Sequence, residues 1–587
     1  MTQSLAFRAP VSGESFLPIG ALTLIQPLLD KLGIADVIDQ HLPPDPQREF
    51  SHGKVLAALI AARLQEPRAL VNIAEWAERT GAEILFGVPA EKLNDDRLGR
   101  ALDAFFEQRH SIMAGVTVHA LRLTGLDLQR LHFDTTHLIF HGAYQSSTPR
   151  PLTACAEDTG RILDFPGNGQ LPPAHISKGY LTDRRMIQAG MTAVVDELGA
   201  VPIFAHAVDG NRTGHIAIRQ NYELLQRHLP LPSDVLLISD RGTCSAEYLA
   251  LLHRHGHQAL CSGPWKDYRA LYDERQSRLQ WADASFLSLE QKRRRACNSS
   301  LPREHYELAV CTHEIIDPRS HDVIPARVIF VRSTSAARDE KQRRLDNVAK
   351  IRAGLDKIAA RAWRGNPNVT YETLSKQIHQ LLGQRAAAKF FRWQLVPLTP
   401  AELAALPPPL RRRPYRAPTH RLEYTCDDAA VAAEERHDGV SALVTTASLL
   451  HSGDALFSMF KEQNYHERSH HLYKGPLAVT PIFLKSPQRV EALVCLLQLA
   501  LQAHQVLERL YRQSVPASAA QTEKRLTAAI LLDRFSTYCL HVQRSRFGRL
   551  IAATIMGSRR RRTLEQLHFP TPAQTLTKLL PPEPRSG

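Results

Sequence analysis

Apolar residues repeat at helical spacing through the first 125 or so residues of the chain. The repeat of three to four positions runs over 20–38, over 54–64 and again after Asn94. Asn94 is followed by two aspartates, which is a pattern typical of the first turn of a helix. The sequence therefore predicts a helical N-terminal domain over 1–125.

The pattern changes to that of β-strands near residue 127. The strand-like runs are 128–140, 191–195, 201–207, 235–239 and 258–262, with helical periodicity at 216–228 and 245–255. The second and third runs are joined through residues 196–199, as in a hairpin. Strands that are followed by alternating helices and strands favour an α/β sheet with mixed strand directions. Catalytic groups often lie at the carboxyl ends of such strands.

The remaining chain divides by composition into three parts. Residues 265–440 are charged and irregular around a strand-like run at 323–331 and a helical stretch at 336–362, which indicates an inserted domain. Residues 441–515 are mostly helical, and 516–587 form a basic tail with an amphipathic helix predicted over 523–540. We therefore expect an α/β multidomain protein in which the insertion separates a first core part, 126–264, from a helical second part, 441–515.

Composition narrows the class of protein. The 587 residues are 43% hydrophobic, which is enough for buried cores, and the net charge is +14. An excess of cations favours a polyanionic partner, with nucleic acid and an anionic membrane both possible. The eight cysteines form no C-x-x-C pair, so neither a zinc ribbon nor a disulfide framework is indicated.

No membrane or secretory segment is expected. The N-terminal residues lack a basic region followed by an apolar run. The most apolar helical stretch, 490–503, contains Glu491 and Gln498 and is too short and too polar for a bilayer. We therefore expect a soluble, cytoplasmic protein.

Three carboxylates stand out by their position in the pattern. Asp134 lies inside an apolar strand, Asp240 directly follows another, and Glu467 begins a helical stretch. A charge in such a strand is costly unless it is paired or bound to a metal, and both explanations remain open, as does a simple turn at Asp240. Carboxylate oxygens suit the two Mg²⁺ ions of phosphoryl-transfer sites. The pattern alone does not show that the three residues meet.

A spacing at 460–474 connects these residues to a known class of protein. The stretch resembles the signature Y-x2-R-x3-E-x6-K of bacterial insertion-sequence transposases, which have an RNase-H-like core and a DDE catalytic triad. The four signature positions in this chain are Phe460, Gln463, Glu467 and Lys474. The runs LHFDTT at 131–136 and ISDRG at 238–242 resemble the surroundings of the two aspartates of the triad. Segments 50–53, 75–77 and 93–102 resemble the helical domain that precedes the core in one branch of these elements.

The resemblance implies an enzyme that cuts double-stranded DNA at the terminal inverted repeats of a mobile element and joins the ends to target DNA. Two Mg²⁺ ions, with Mn²⁺ as a substitute, would be held by the catalytic residues Asp134, Asp240 and Glu467. A homodimer on DNA is expected, in the bacterial cytoplasm and associated with the nucleoid. The alternatives are a non-catalytic DNA-binding remnant and an RNase-H-like nuclease without strand transfer.

The DNA contacts implied by the resemblance are Lys474, Gln463 and Arg468. Gln463 replaces an arginine of the signature, so a charged, bidentate phosphate contact is exchanged for neutral hydrogen bonds. Either the activity is lower than in relatives, or the neighbouring Arg468 compensates. Two basic runs, 411–416 and 559–562, indicate either contacts to the DNA backbone or ordinary solvated surface.

Three histidines lie next to Glu467. His466 and His470 share a helix face, as metal ligands often do, and His471 follows them. A zinc site needs three or four ligands, and no further ligand stands at a suitable spacing. We therefore predict ordinary surface or DNA-facing histidines.

Overall fold

The computed structural model describes residues 14–42, 44–140, 144–150, 171–179, 182–287, 298, 304–363, 369–383, 385–405, 418–475, 477, 484–520, 522–545 and 548–579.

The N-terminal region is helical, as predicted. A short strand, β1 (Glu14–Leu17), precedes the helices α1 (Leu22–Lys31), α2 (Ile34–His41), α3 (His52–Gln65), α4 (Ile73–Thr80), α5 (Ala82–Phe86) and α6 (Asp95–Thr124). Asn94 caps α6, because its side-chain oxygen accepts a hydrogen bond of 2.9 Å from the backbone N–H of Arg97.

The central sheet begins with strands from the predicted first core part. They are β2 (Arg130–Phe140), β3 (Ser177–Gly179), β4 (Thr182–Asp196), β5 (Gly199–Asp209), β6 (Leu236–Ser239) and β7 (Gln258–Gly263), and the helices among them are α7 (Gly214–His228) and α8 (Ala246–Arg254). Five of the strands lie side by side in the order β5-β4-β2-β6-β7. β4 is antiparallel to both β5 and β2, whereas β6 is parallel to β2 and to β7. The predicted mixed α/β sheet is therefore confirmed.

Strands from the predicted insertion continue this sheet. The elements of this part are α9 (Trp265–Arg275), β8 (Ala282–Asp283), β9 (Tyr306–Ile316), β10 (Val323–Ser333), α10 (Thr334–Trp363), α11 (Tyr371–Leu382), β11 (Phe391–Pro397), α12 (Pro400–Ala404), β12 (His420–Cys426), α13 (Asp428–Ala433) and β13 (Val440–Thr445). β13 pairs with β7 on one side and with β10 on the other, and β9 and β8 follow outward. The hairpin of β11 and β12 packs with α10 and α11 around a separate apolar cluster that includes Ile351 and Ile378.

One prediction for the C-terminal part of the chain, the helix over 523–540, was wrong. Its helices are α14 (Gly453–Lys461), α15 (Gln463–Lys474), α16 (Pro487–Ser514), α17 (Ala528–Asp533), α18 (Ser558–Leu567) and α19 (Pro572–Leu579), and its strands are β14 (Leu540–Ser545) and β15 (Gly548–Ala553). The helix predicted over 523–540 is thus much shorter. β14 pairs with β1 from the other end of the chain, a long-range partner that local periodicity does not show.

The longest apolar helix lies inside the protein. α16 has 28 residues and is long and apolar enough to cross a membrane, but its apolar stretch is entirely buried in the fold. The prediction that the stretch at 490–503 is too short and too polar for a bilayer was therefore wrong by length and composition, because the stretch belongs to a longer apolar helix. This burial is consistent with a soluble protein, in which α16 is a core helix.

α16 connects the N-terminal helices to the sheet through buried polar contacts. Glu491 is 1% exposed and forms ion pairs with Arg109 of α6 at 2.8 Å and with Arg150 at 2.7 Å. Gln502 donates hydrogen bonds to the Thr117 hydroxyl and to the Pro202 carbonyl of β5. These contacts fix the position of α16 between the two regions.

Candidate functional site

The sheet brings Asp134 and Asp240 to neighbouring positions. Phe133 of β2 and Ser239 of β6 are register partners in a parallel pair. Asp134 directly follows Phe133 along the chain, and Asp240 directly follows Ser239. Neighbouring strands are about 4.8 Å apart, which places both side chains at the same edge of the sheet. The long strand β2 continues past this point, whereas β6 ends at Ser239.

The two carboxylates affect one another electrostatically. Burial and the charge of Asp134 raise the pKa of Asp240, although the residue as a whole is solvent-exposed. Protein atoms therefore surround the carboxyl group of Asp240 on some sides and displace part of its water, while the residue stays open to solvent on another side. Gly242 donates its backbone N–H to Asp240 Oδ1 at 3.0 Å. Two neighbouring carboxylates, of which Asp240 is open to solvent, form a donor set that fits a divalent cation.

Asp134 is held by a histidine of α15. His470 Nδ1 lies 3.3 Å from Asp134 Oδ2, and the backbone N–H of Thr135 donates to Oδ1 at 2.7 Å. Burial raises the pKa of Asp134, but the hydrogen bond and charge of His470 and the further contributions of His466 and Thr135 outweigh it, so the pKa is lowered overall. Asp134 is therefore ionised and oriented before any cation binds.

Helix α15 packs against β2, and the chain runs in the same direction in both elements. Glu462, just before the helix, forms an ion pair of 3.0 Å with Arg130 at the start of β2, and His470 reaches Asp134 further along the strand. His466 Nε2 donates to the Met191 carbonyl of β4 at 3.2 Å. The Tyr473 hydroxyl donates to the Val494 carbonyl of α16 at 2.8 Å, which fixes the other end of the helix.

Glu467 lies near the contact between His470 and Asp134 but takes no part in it. It is exposed, and it precedes His470 by three residues, so the two side chains are neighbours on the surface of α15. In the described part of the chain, the side-chain oxygens of Asp134, Asp240 and Glu467 do not all lie within 4.8 Å of one another. The structure therefore brings the two aspartates together and leaves Glu467 about one helical turn from His470, the histidine partner of Asp134.

The three residues expected to contact DNA have different surroundings. Gln463 is only 7% exposed, because it belongs to the face of α15 that packs on the sheet. Arg468 is exposed and lies over the Tyr465 ring at 5.9 Å. Lys474 is exposed at the end of α15, and burial followed by the charge of Lys474 lowers the pKa of His137. Arg468 and Lys474 are thus accessible to a ligand, whereas Gln463 has little free surface.

The prediction of surface histidines is wrong for two of the three. His466 and His470 are 0% and 6% exposed, and only His471 is exposed. His466 lies close enough to His132 to affect its pKa, and His132 is also 0% exposed and stands two residues before Asp134 on the same face of β2. Burial lowers the pKa of His466 to about 3 and also lowers the pKa of His132, so both rings are neutral at pH 7. Two spacings in the sequence could have indicated that these histidines are buried next to Asp134. His132 and Asp134 share one face of a strand, and His466 and His470 share one face of a helix.

Of the two basic runs, only the second lies within the described residues. Arg559, Arg561 and Arg562 are exposed in the first turns of α18, whereas Arg560 donates to the Arg534 carbonyl and the Thr537 hydroxyl, each at 2.6 Å. The run at 411–416 lies outside the described residues.

Two other clusters bring three potential metal ligands within 4.8 Å in the described residues. One consists of His110, His206 and Glu491, and the other of Asp283, His305 and Glu307. In the first, the charge of Glu491 is already compensated by two arginines. In the second, Glu307 forms an ion pair with Arg332 at 3.1 Å.

Comparison with known proteins bears on the N-terminal region. Residues 15–118 match the model of a family described as a domain of unknown function (DUF4277), which is found in transposase-like proteins. No curated protein matches the chain. The matched segment contains α1 to α5 and most of α6, and it includes the motifs at 50–53, 75–77 and 93–102 that resemble the helical domain of insertion-sequence transposases.

Proposed function

We propose that the chain is a DNA transposase of the insertion-sequence type, with an RNase-H-like core around β2, β4, β5, β6 and β7. The observation that carries the proposal is the placement of Asp134 and Asp240 at the same edge of neighbouring parallel strands, next to a helix that bears Glu467. The DUF4277 match at 15–118 and the net charge of +14 support it.

The proposed roles follow from the surroundings of each residue. Asp134 and Asp240 hold Mg²⁺ or Mn²⁺. Glu467, on the neighbouring helix α15, supplies a further carboxylate when DNA is bound. Bound Mg²⁺ supplies charge that stabilises the attacking and leaving oxygens of a phosphodiester. Arg468 and Lys474, both exposed on α15, neutralise phosphates of the DNA backbone. The partners are the inverted repeats of the element and the target DNA, and two copies of the chain act on paired ends.

A non-catalytic DNA-binding protein is the second candidate. The observations that favour it are the position of Glu467 outside the aspartate pair and the buried side chain of Gln463, where the signature has a charged phosphate contact. A nuclease that cuts without joining would use the same aspartates.

One experiment separates these functions. The purified chain is incubated with Mg²⁺ and a DNA fragment that carries both flanks of its gene, together with a labelled target plasmid. Cleavage at the flanks with recovery of joined products is the expected result. Cleavage without joined products would identify a nuclease, and binding without cleavage would identify the non-catalytic protein; either result overturns the proposal.

Replacing His470 with alanine is expected to weaken metal binding. Residues that orient metal ligands typically contribute about 10- to 100-fold to metal affinity, so the Mg²⁺ concentration for half-maximal cleavage should rise by about that factor. The neighbouring His471→Ala variant is the control, because His471 is exposed on the same helix. An unchanged Mg²⁺ requirement in His470→Ala would show that the contact with Asp134 does not position the carboxylate.

A further inference from the structure

A cavity of about 790 Å³ lies where the N-terminal helices meet the C-terminal half of the chain. Its wall is formed by the ends of α3 and α4, by α15 and α16, and by α17 with the residues around it. It is separate from the aspartate pair, because Leu472 lines it from the opposite side of α15 to His470.

A buried arginine lines this cavity, and two of its guanidinium nitrogens lack a hydrogen-bond partner among the described residues. Arg63, in the last turn of α3, is 2% exposed, and its Nε and Nη1 atoms have no hydrogen-bond partner among the described residues. Burial alone lowers the pKa of Arg63 to about 10, so the guanidinium is charged at neutral pH. An isolated buried charge is strongly unfavourable unless an opposite charge or a polar ligand compensates it.

The neighbouring carboxylates do not supply that compensation. Glu66 lines the same cavity but forms ion pairs with Arg68 and Arg79. Asp533 is exposed, and no ion pair joins it to Arg63 in the described structure.

Other groups on the wall are suited to a ligand that combines polar and apolar parts. The Nδ1 atom of His504 and the Oε1 atom of Gln65 are buried and have no partner among the described residues. Burial lowers the pKa of His504 to about 4, so the ring is neutral at pH 7 and can donate or accept. Leu472, Leu477 and Leu532 supply apolar surface.

We propose that this cavity binds a small organic anion, with its carboxylate or phosphate group on Arg63 and its apolar body against the leucines. A guanidinium forms charge-assisted, bidentate hydrogen bonds with either head group. A free small molecule with an apolar body can contact the leucines of the wall and Arg63 together, whereas a phosphate of the DNA backbone brings further charged phosphates with it.

Calorimetric titration of the full chain with defined probes tests the proposal. The probes are benzoate, phenyl phosphate, inorganic phosphate, the neutral benzyl alcohol and a 5′-phosphorylated oligonucleotide. Benzoate or phenyl phosphate should bind the wild type and bind Arg63→Met at least about tenfold more weakly, since charged hydrogen bonds are lost. Benzyl alcohol should bind neither protein. Arg122→Met, which removes an exposed arginine of α6, should bind as the wild type does.

The stability of the variant without ligand provides a second readout. Arg63→Met removes an uncompensated charge and keeps an apolar chain of similar length, so its thermal midpoint should equal or exceed that of the wild type. A midpoint well below that of Arg122→Met would mean that the fold already compensates Arg63, and would overturn the proposal. Binding of the oligonucleotide alone, equal binding by wild type and Arg63→Met, or no binding by any probe would overturn it as well. None of these results depends on DNA cleavage.

Discussion

The Asp240→Asn variant is expected to bind DNA normally and to lose Mg²⁺-dependent cleavage, with a rate at least about a thousandfold below that of the wild type. Asparagine keeps the shape of the side chain but removes the charge that, with Asp134, attracts the cation. Loss of several kcal/mol of transition-state stabilisation corresponds to a factor of this size. Asp134→Asn should have the same effect, because the two carboxylates occupy adjacent strands. Cleavage is measured as product formed per minute at saturating Mg²⁺.

Folding defects are separated from catalytic ones by two controls. Asp234→Asn changes an exposed aspartate just before β6 and should leave cleavage unchanged. Asp240→Asn should not lower the thermal midpoint, because burial and the charge of Asp134 both raise the pKa of Asp240 and so disfavour its ionised form. If Asp240→Asn cleaves within about tenfold of the wild type, a difference of only about 1.4 kcal/mol, the aspartate pair is not the catalytic centre.

The Glu491→Gln variant is expected to show the largest loss of stability. Glu491 receives hydrogen bonds from the guanidinium groups of Arg109 and Arg150 and from the backbone N–H of Ala174. Glutamine would leave two arginines, each 2% exposed, without their counter-charge. Breaking a buried ion pair by removing one partner costs about 3–5 kcal/mol. The change should lower the urea midpoint for the loss of helical circular dichroism.

The matched control for this variant is Glu107→Gln, an exposed carboxylate on α6. Its urea midpoint should equal that of the wild type. A Glu491→Gln midpoint that is also unchanged would mean that water or another group replaces the carboxylate, and that α16 does not depend on this network.

The sequence predicted those parts of the fold that short-range patterns determine. The cap at Asn94 and the periodicity of α6 and α7 depend on neighbours within one or two helical turns, and the structure confirms them. The pairing of β14 with β1 joins residues more than 500 positions apart, and no local pattern indicates such a partner.

The candidate site was predictable to a similar degree. Asp134 and Asp240 stood out because each is charged within or directly after an apolar strand, and the parallel pairing of β2 with β6 places them side by side. The contact of His470 with Asp134 was missed because Asp134 lies on a strand more than 300 residues away in sequence. The position of Glu467 relative to the aspartates depends on the packing of α15, which no spacing within the helix determines.

The most direct test of the proposed metal centre is a count of bound Mn²⁺ by electron paramagnetic resonance, with the flanking DNA present. We expect about two ions per wild-type chain, as in two-metal phosphoryl-transfer sites, and fewer in each of Asp134→Asn, Asp240→Asn and Glu467→Gln. Retention of full Mn²⁺ binding in Glu467→Gln would remove that residue from the centre. Equal Mn²⁺ binding by the wild type and a variant lacking all three carboxylates would contradict the metal centre altogether.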